Sequence, residues 1–326
     1  MSGQRGSRHE ADTLYKMKPV GILYEHPQWF APLFAELDRR GEPYVRIDAA
    51  AHAYDPGAHA SEYSLVVNRM SPSAWTRGHA AAIFHTLHYL AWLDRVGANV
   101  LNGYGAYRLE LSKAAQCALF SSLGVRYPPT RVVNSREAAV AAAAELRFPV
   151  LFKPNVGGSG AGISSFDALD ELAGAELDFG LDGTALIQER IPAAEGSIVR
   201  VEILDGELLY AIRILLVAGS FNLCPADYCE LPGVADGVSG RGLPIEGIEP
   251  PAEVVEEAKR IVAAAGMDVA GVEYVVDERD GLPYFYDLNA LSNFVADAPE
   301  VVGFDPFVHL VDLIVARAEQ RVATAA

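Results

Sequence analysis

A lysine followed by a glycine-rich loop is the most informative feature of the sequence. Lys153 lies near the end of the short apolar run VLFKP, and residues Gly157–Gly162 read GGSGAG. Glycines allow backbone N–H groups to converge on phosphate oxygens, and the lysine supplies a positive charge. The segment therefore predicts a polyphosphate-binding loop, with a mobile turn beside a surface lysine as the alternative. No Gly-Lys-Ser/Thr triplet follows, so the loop is not a Walker P-loop.

Three oxygen-bearing side chains in the last quarter of the chain could bind a metal ion. Asp287 and Asn289 stand at i and i+2 of a predicted strand, which places both side chains on one face. If this strand pairs with the preceding one across the turn Asp280-Gly281, Glu273 becomes the cross-strand neighbour of Asp287. Carboxylate and amide oxygens of this kind suit Mg²⁺. An isolated Asp-x-Asn is more often a turn or a cap, but the upstream phosphate loop favours the metal site.

Two arginines interrupt apolar alternation in the middle of the chain. Arg200 and Arg213 lie in predicted strands, where an unpaired guanidinium would be costly to bury. We expect an anionic ligand to face them. An internal partner such as Glu202 is the alternative.

The elements that must position these residues divide into a parallel and an antiparallel part. Up to about residue 108, four short apolar runs alternate with helical stretches, a pattern typical of a parallel α/β domain. Further along, a helix over Ala106–Leu123 is expected. Two hairpins are predicted around Asp205-Gly206 and Asp280-Gly281, and the Gly- and Pro-rich stretch Cys224–Pro251 is predicted to be a long loop. The predicted class is α/β, with α+β character in the C-terminal part.

Composition excludes several classes of function. The 326 residues are 51% hydrophobic and carry a formal net charge of −17, which disfavours nucleic acid as a partner. No apolar run is long enough to span a membrane and no signal peptide is evident, so we expect a cytoplasmic protein without a membrane partner. The three cysteines are too few for a disulfide framework.

Taken in order, these residues resemble the ATP-grasp superfamily, in particular the branch of the ribosomal-protein glutamate ligase and related amino-acid ligases. The resemblance runs from about Val20 to Phe294 and includes the segment VVNRMSPS, which is typical of that branch. It implies an ATP-grasp fold with a parallel α/β pre-grasp domain at the N-terminus. The implied divisions are a flexible tail (1–17), the pre-grasp domain (18–108), a central subdomain with the glycine-rich lid (109–192) and a C-terminal subdomain with the metal site (193–326).

The resemblance also implies roles for individual residues. ATP would be bound by two lysines, the lid, a hinge strand and a ribose-binding acid: Lys113, Lys153, Gly158, Ser159, Gly160, Gly162, Gln188, Glu189, Arg190, Ile191 and Glu195. The reacting phosphate and carboxylate would face Arg200, Arg213 and Asn222. Glu273, Asp287 and Asn289 would bind two Mg²⁺ ions, with Mn²⁺ as a substitute.

The reaction implied is ATP-dependent joining of a small carboxylate to a small amine through an acyl phosphate, leaving ADP and phosphate. Two departures from the family pattern concern the site: Asp287 replaces the usual glutamate, and Ile198 stands where an acid often binds ribose. Leu-Cys-Pro after Asn222 replaces the usual His and Gly, which leaves the acceptor open. A kinase on the same scaffold and a non-catalytic ATP-binding module are the alternatives, and a homodimer is left open.

Overall fold

The computed structural model describes residues 18–216 and 244–325. The predicted tail at residues 1–17, the candidate residue Asn222 and most of the Cys224–Pro251 stretch lie outside these ranges.

The first sheet is parallel and has the predicted βαβ character. Its strands follow the order β2-β1-β3-β4, and each apolar run found in the sequence forms one of them. Gly41 ends the first helix in the left-handed conformation (φ 71°), as expected of a C-cap glycine. The elements are β1 (Val20–Tyr24), α1 (Ala31–Arg40), β2 (Tyr44–Asp48), β3 (Leu65–Asn68), a 3₁₀ turn (Pro72–Arg77), α2 (Ala80–Arg95) and β4 (Val100–Leu101).

The helix predicted over Ala106–Leu123 is two helices in the structure. The first, α3, covers Tyr104–Glu110, and the second, α4, covers Lys113–Ser122. Ser112 separates them with extended backbone and caps α4, because its hydroxyl accepts the Ala115 N–H at 3.1 Å. The break places Lys113 in the first turn of a new helix.

The second sheet is antiparallel and carries the glycine-rich loop. Its strand order is β5-β8-β6-β7, and the loop connects β6 to β7. The elements are β5 (Thr130–Val133), α5 (Arg136–Ala143), β6 (Val150–Pro154), β7 (Ser164–Phe166), α6 (Leu169–Gly174) and β8 (Ala185–Glu189).

The third sheet is antiparallel, with the order β11-β10-β9-β12-β13. Both predicted hairpins are confirmed, and the sheet includes a strand at Ile245–Ile248, within the stretch predicted to be a loop. This strand pairs with β10 and so extends the sheet. The elements are β9 (Ser197–Leu204), β10 (Glu207–Leu215), β11 (Ile245–Ile248), α7 (Ala252–Ala265), β12 (Val269–Val276), β13 (Pro283–Asn289), α8 (Ala298–Val301) and α9 (Pro306–Ala325).

The first and third sheets share one hydrophobic core. Ile22 of β1 and Ile212 of β10 are fully buried in a single cluster to which α1 and α9 both contribute. Arg40 at the end of α1 also donates to Asp312 of α9 at 2.6 Å. This packing fixes the N-terminal sheet against the sheet that carries the predicted metal ligands. The α/β class with a C-terminal α+β part is confirmed, and the domain boundaries stay predictions.

Candidate active site

One cavity is lined by residues that lie in or next to each of the three sheets. It lies where the first turn of α4, the glycine-rich loop, the middle of β12 and the end of β13 meet the segment that follows β3. Most of the predicted phosphate and metal residues line it: Lys113, Lys153, Gly158, Ser159, Gly160, Arg200, Glu273, Asp287 and Asn289.

Lys113 reaches the cavity from the start of α4. Its Nζ lies 2.5 Å from Asp287 Oδ1. Asn155 holds this helix start, because its side-chain oxygen accepts the Ala114 N–H at 2.9 Å and the Ser112 hydroxyl at 3.2 Å. Asn155 directly follows β6, so both predicted lysines are positioned by the same stretch of the second sheet.

Lys153 is buried on β6. Its Nζ donates to Gln188 Oε1 at 3.2 Å and lies 5.6 Å from the centre of the Tyr286 ring. Burial, followed by repulsion from Lys113, lowers the pKa of Lys153 to about 8. A nearby anion would therefore strongly favour its charged form.

The two carboxylates of the predicted metal site are cross-strand neighbours, as expected from the hairpin. Glu273 of β12 stands opposite Asp287 of β13, but only because a bulge at Tyr286 shifts the register by one residue. Without this bulge Glu273 would oppose Tyr286, and Asp287 would face the other side of the sheet. The bulge therefore brings Tyr286 and Asp287 together to the cavity.

Nearby cations balance the charges of these carboxylates. Burial raises the pKa of Asp287, but Lys113 and Lys153 outweigh it and hold that pKa below its ordinary value. Burial raises the pKa of Glu273 above its ordinary value, against the opposing effect of Arg200.

Arg200 is held by acids on both sides. Its Nε donates to Glu202 Oε1 at 2.5 Å and its Nη1 donates to Glu273 Oε1 at 2.8 Å. The alternative of a Glu202 partner is thus confirmed, and Glu273 is a second one. Gly271 makes room for the guanidinium, since a Cβ at this position would collide with it. Arg200 lines the cavity with its charge largely compensated.

The donor set fits Mg²⁺ by its chemistry. Among the residues that the structure describes, no three His, Cys, Asp or Glu side chains cluster to hold a metal by themselves. The available donors are the two carboxylates of Glu273 and Asp287 and the amide of Asn289, whose nitrogen lies 3.5 Å from Asp287 Oδ2. Mg²⁺ typically takes one or two carboxylates and completes its shell with water and phosphate.

The glycine-rich loop closes over the cavity against the segment after β3. A Cβ added to Gly158 would lie 2.7 Å from the Ser73 Cβ, so only glycine allows this approach. Ser159, Gly160 and Gly162 all have positive φ, at 53°, 70° and 75°. Such backbone geometry exposes N–H groups in a concave turn, which suits an anion.

Arg213 and Glu195 lie outside this cavity. A bulge between Leu208 and Tyr210 shifts the β9–β10 register, so that Arg213 opposes Val199 and its side chain takes the opposite face from Arg200. Its Nη1 pairs with Glu246 at 3.0 Å and with Glu195 at 3.5 Å. The structure therefore does not place Arg213 near the phosphate residues, contrary to the expectation drawn from the resemblance.

The predicted hinge strand lies at the end of β8. The Glu189 and Arg190 N–H groups donate to Pro129 O and Pro149 O, each at 2.9 Å, and Glu189 Oε1 accepts the Arg147 N–H at 2.9 Å. Gln188 contacts a cavity residue, since its Oε1 accepts from Lys153 Nζ at 3.2 Å. Ile191 packs beside the shared core. The nucleotide roles of the hinge residues remain proposals.

Two buried side chains of the cavity were not predicted from the sequence. Glu110 and Gln116 line it from α3 and α4. Burial raises the pKa of Glu110 to about 8. A polar residue in an apolar helical stretch is the only sequence signal for either, and it does not distinguish a site residue from a satisfied core residue.

Part of the chain is similar in sequence to known ligases. No family model matches the chain. D-alanine–D-alanine ligases from Geobacter sulfurreducens and Geotalea uraniireducens are each 28% identical, over 216 and 215 residues. Each match covers 64% of this chain and 66% of the relative.

Solved structures match over nearly the whole chain. The ATP-grasp ligase PsnB, complexed with a phosphomimetic precursor variant, Mg and ADP, has a TM-score of 0.64 at 19% identity, covering 93% of this chain and 99% of its own. A RimK domain ATP-grasp protein from Sphaerobacter thermophilus has a TM-score of 0.65 at 21% identity, with 90% and 98% covered. D-alanine–D-alanine ligase from Bacillus anthracis, complexed with ATP, has a TM-score of 0.64 at 17% identity, with 94% and 99% covered.

The chain therefore has the ATP-grasp fold. The resemblance to the ATP-grasp superfamily that the sequence predicts is confirmed at the level of the fold. No helix within the described ranges is both long and apolar enough to cross a membrane.

Proposed function

We propose that the protein is an ATP-dependent ligase that joins a carboxylate to an amine and releases ADP and phosphate. The observation that supports it best is the meeting of two lysines, a glycine-rich loop and a pair of carboxylates in one cavity. The lysines and the loop suit a polyphosphate, and the carboxylates with Asn289 suit Mg²⁺. The relatives and structural neighbours named above are all ligases or proteins of the ATP-grasp fold.

In this proposal the chain contributes positioning and charge neutralisation rather than a covalent nucleophile. Lys113 and Lys153 hold the phosphates, and the loop at Gly158–Gly160 covers them with backbone N–H groups. Glu273, Asp287 and Asn289 hold Mg²⁺, whose charge would assist transfer of the terminal phosphoryl group. We propose two such ions, for which Mn²⁺ could substitute.

The substrate carboxylate receives the terminal phosphoryl group, and the amine then displaces phosphate from the acyl phosphate as it loses a proton. Arg200 lies beside Glu273 and faces the place where negative charge would build up. We leave Arg213 out of this set, because its side chain lies on the other face of the sheet. Asn222 remains a proposal from the resemblance alone.

The substrates are proposed to be small and amino-acid-like. Away from the lysines, the cavity is lined by apolar and small side chains, including Trp29, Ser71, Ser73, Leu291 and Phe294. The net charge of −17 also disfavours capture of an acidic protein tail.

A substrate screen tests the proposal. Purified protein with ATP and Mg²⁺ is offered amino acids singly, in pairs and with short peptides, while ADP is measured. ADP release that requires both a carboxylate and an amine, together with a new amide by mass spectrometry, is the expected result. ADP release without any need for an amine would indicate a kinase, and ATP binding without turnover would indicate a regulatory module.

A further inference from the structure

β13 carries two of the proposed metal ligands. Near its end, its backbone is hydrogen-bonded by a side chain that lies outside its own sheet. β13 is an edge strand, and Leu288 stands between Asp287 and Asn289. The side chain of Gln116, on α4, takes the place of a neighbouring strand. Its Nε2 donates to Leu288 O at 2.8 Å, and its Oε1 accepts the Leu288 N–H at 3.1 Å.

The next residue, Ala290, is bonded by two further side chains. Its N–H donates to a carboxyl oxygen of Glu110, and its carbonyl accepts from Asn102 Nδ2 at 2.5 Å. Asn102 follows β4 of the first sheet and also donates to Val269 O at 2.7 Å. It therefore ties the end of β13 to the start of β12.

Two residues further on, the chain is held by a buried arginine. Arg69, directly after β3, donates to the carbonyl of Ser292 and is only 1% exposed. The hydroxyl of the same serine accepts from Arg200 Nη2 at 3.3 Å. Ser292 thus joins the first sheet to the arginine that contacts Glu273.

We infer that Arg69, Asn102, Glu110 and Gln116, here called the strand-end clamp, are positioning residues for the proposed metal site. The chain beyond Asn289 has left the sheet, yet Ala290 and Ser292 are 3% and 0% exposed. Buried backbone N–H and C=O groups need hydrogen-bond partners. The four side chains of the clamp supply these partners beside Asp287 and Asn289, and so hold the backbone that sets the spacing of the two ligands. This inference rests on the proposed function, because it assigns the clamp to a site that function requires.

The clamp acts on metal binding through the backbone. Groups that orient metal ligands typically change metal affinity or activity by about 10–100-fold when they are removed. A purely structural role would instead lower stability and leave the metal affinity of the folded protein unchanged.

The first test replaces Gln116 with methionine, which keeps the length of the side chain and removes both bonds to Leu288. The control is Phe120→Leu, a packing loss at a fully buried position of the same helix. Binding of Mn²⁺ in the presence of an unreactive ATP analogue is followed by the electron paramagnetic resonance signal of free Mn²⁺. Thermal unfolding is recorded for each variant.

We expect Gln116→Met to lower the Mn²⁺ affinity about tenfold or more, while Phe120→Leu stays near the parent. Arg69→Lys is the second variant, since Arg69 does not line the cavity and lysine keeps the positive charge. It is expected to lower the affinity in the same direction, and it decides the question if Gln116→Met does not fold.

Mn²⁺ affinities within about twofold of the parent in the folded variants would overturn the inference. A parent protein that fails to bind Mn²⁺ with the analogue would instead overturn the metal site itself, and the proposed function with it. The parent protein distinguishes the two failures, because it binds Mn²⁺ in the first case and does not bind it in the second.

Discussion

Lys113 and Asp287 form an ion pair of 2.5 Å between residues 174 positions apart in the chain. The lysine begins a helix that the second sheet holds in place, and the aspartate lies on the edge strand of the third sheet. A proposed phosphate ligand and a proposed metal ligand are thus already paired in the structure. The cavity between the two sheets is thus lined with charges that compensate one another.

Asp287→Asn is predicted to reduce ATP turnover at least about a hundredfold. The amide keeps the shape of the side chain but removes the negative charge that faces both Lys113 and the proposed Mg²⁺. Asp280→Asn is the matched control, since it makes the same change at the exposed turn of the same hairpin. Release of ADP under saturating substrate measures the effect. An Asp287→Asn protein within about threefold of the parent would contradict a metal-binding role.

Arg200→Gln and Arg213→Gln make the same change on the two faces of one hairpin. Arg200 lines the cavity, whereas Arg213 pairs with exposed acids on the other side. We expect Arg200→Gln to lose about a hundredfold or more of kcat/KM, and Arg213→Gln to stay within about threefold. Steady-state kinetics with ATP as the varied substrate decides. A larger loss for Arg213→Gln than for Arg200→Gln would show that the bulge in β10 does not determine which face of the hairpin acts on ATP.

Gly158→Ala is predicted to prevent the glycine-rich loop from closing, because its Cβ would lie 2.7 Å from that of Ser73. At Gly157 the same substitution meets nothing nearer than 3.6 Å, which makes Gly157→Ala a close control. We expect Gly158→Ala to raise KM for ATP about tenfold and to abolish the hydrogen-exchange protection that an ATP analogue gives residues 157–162. Equal protection in the two variants would count against closure at this contact.

The buried carboxyl of Glu110 predicts a pH-dependent stability. Burial raises its pKa from the ordinary 4.5 to about 8, so between these values the folded protein keeps a proton that the unfolded chain has lost. The stabilisation is complete below pH 4.5 and is lost as the pH rises towards 8. Relative to Glu110→Gln, the parent should lose up to about 1.4 kcal/mol of unfolding free energy per pH unit in this window.

Urea unfolding of the parent and of Glu110→Gln at pH 5, 6, 7 and 8 measures that difference, in which the other titrating groups cancel. A difference that does not change with pH would mean that Glu110 is already ionised in the folded protein.

The hairpin that joins Glu273 to Asp287 could be predicted because alternation and the Asp280-Gly281 turn are local signals. The residue register could not be read with equal certainty, because each hairpin contains a one-residue bulge. In β13 the bulge falls at Tyr286 and brings Asp287 opposite Glu273. The bulge in β10 places Arg213 on the opposite face from Arg200. In a regular hairpin with a two-residue turn and no bulge, the two arginines would share one face.

The strand-end clamp shows what a single sequence does not reveal. Arg69 and Asn102 directly follow β3 and β4 of the first sheet, far along the chain from the strand end they bond. Their sequence surroundings are apolar runs, where a polar residue indicates burial with a partner but does not identify that partner. The helix break at Ser112, which aims Lys113 at Asp287, depends in the same way on a distant residue, Asn155.

The most direct test of the account follows the oxygen atoms of the reaction. Once a carboxylate and an amine that support turnover are known, the reaction is run with the carboxylate labelled with ¹⁸O. The nucleotide products are separated, and the phosphate is analysed for label. The proposed ligase would yield ADP, and one labelled oxygen would appear in the released phosphate because it leaves from the acyl phosphate. Formation of AMP and pyrophosphate, or amide product with unlabelled phosphate, would contradict it.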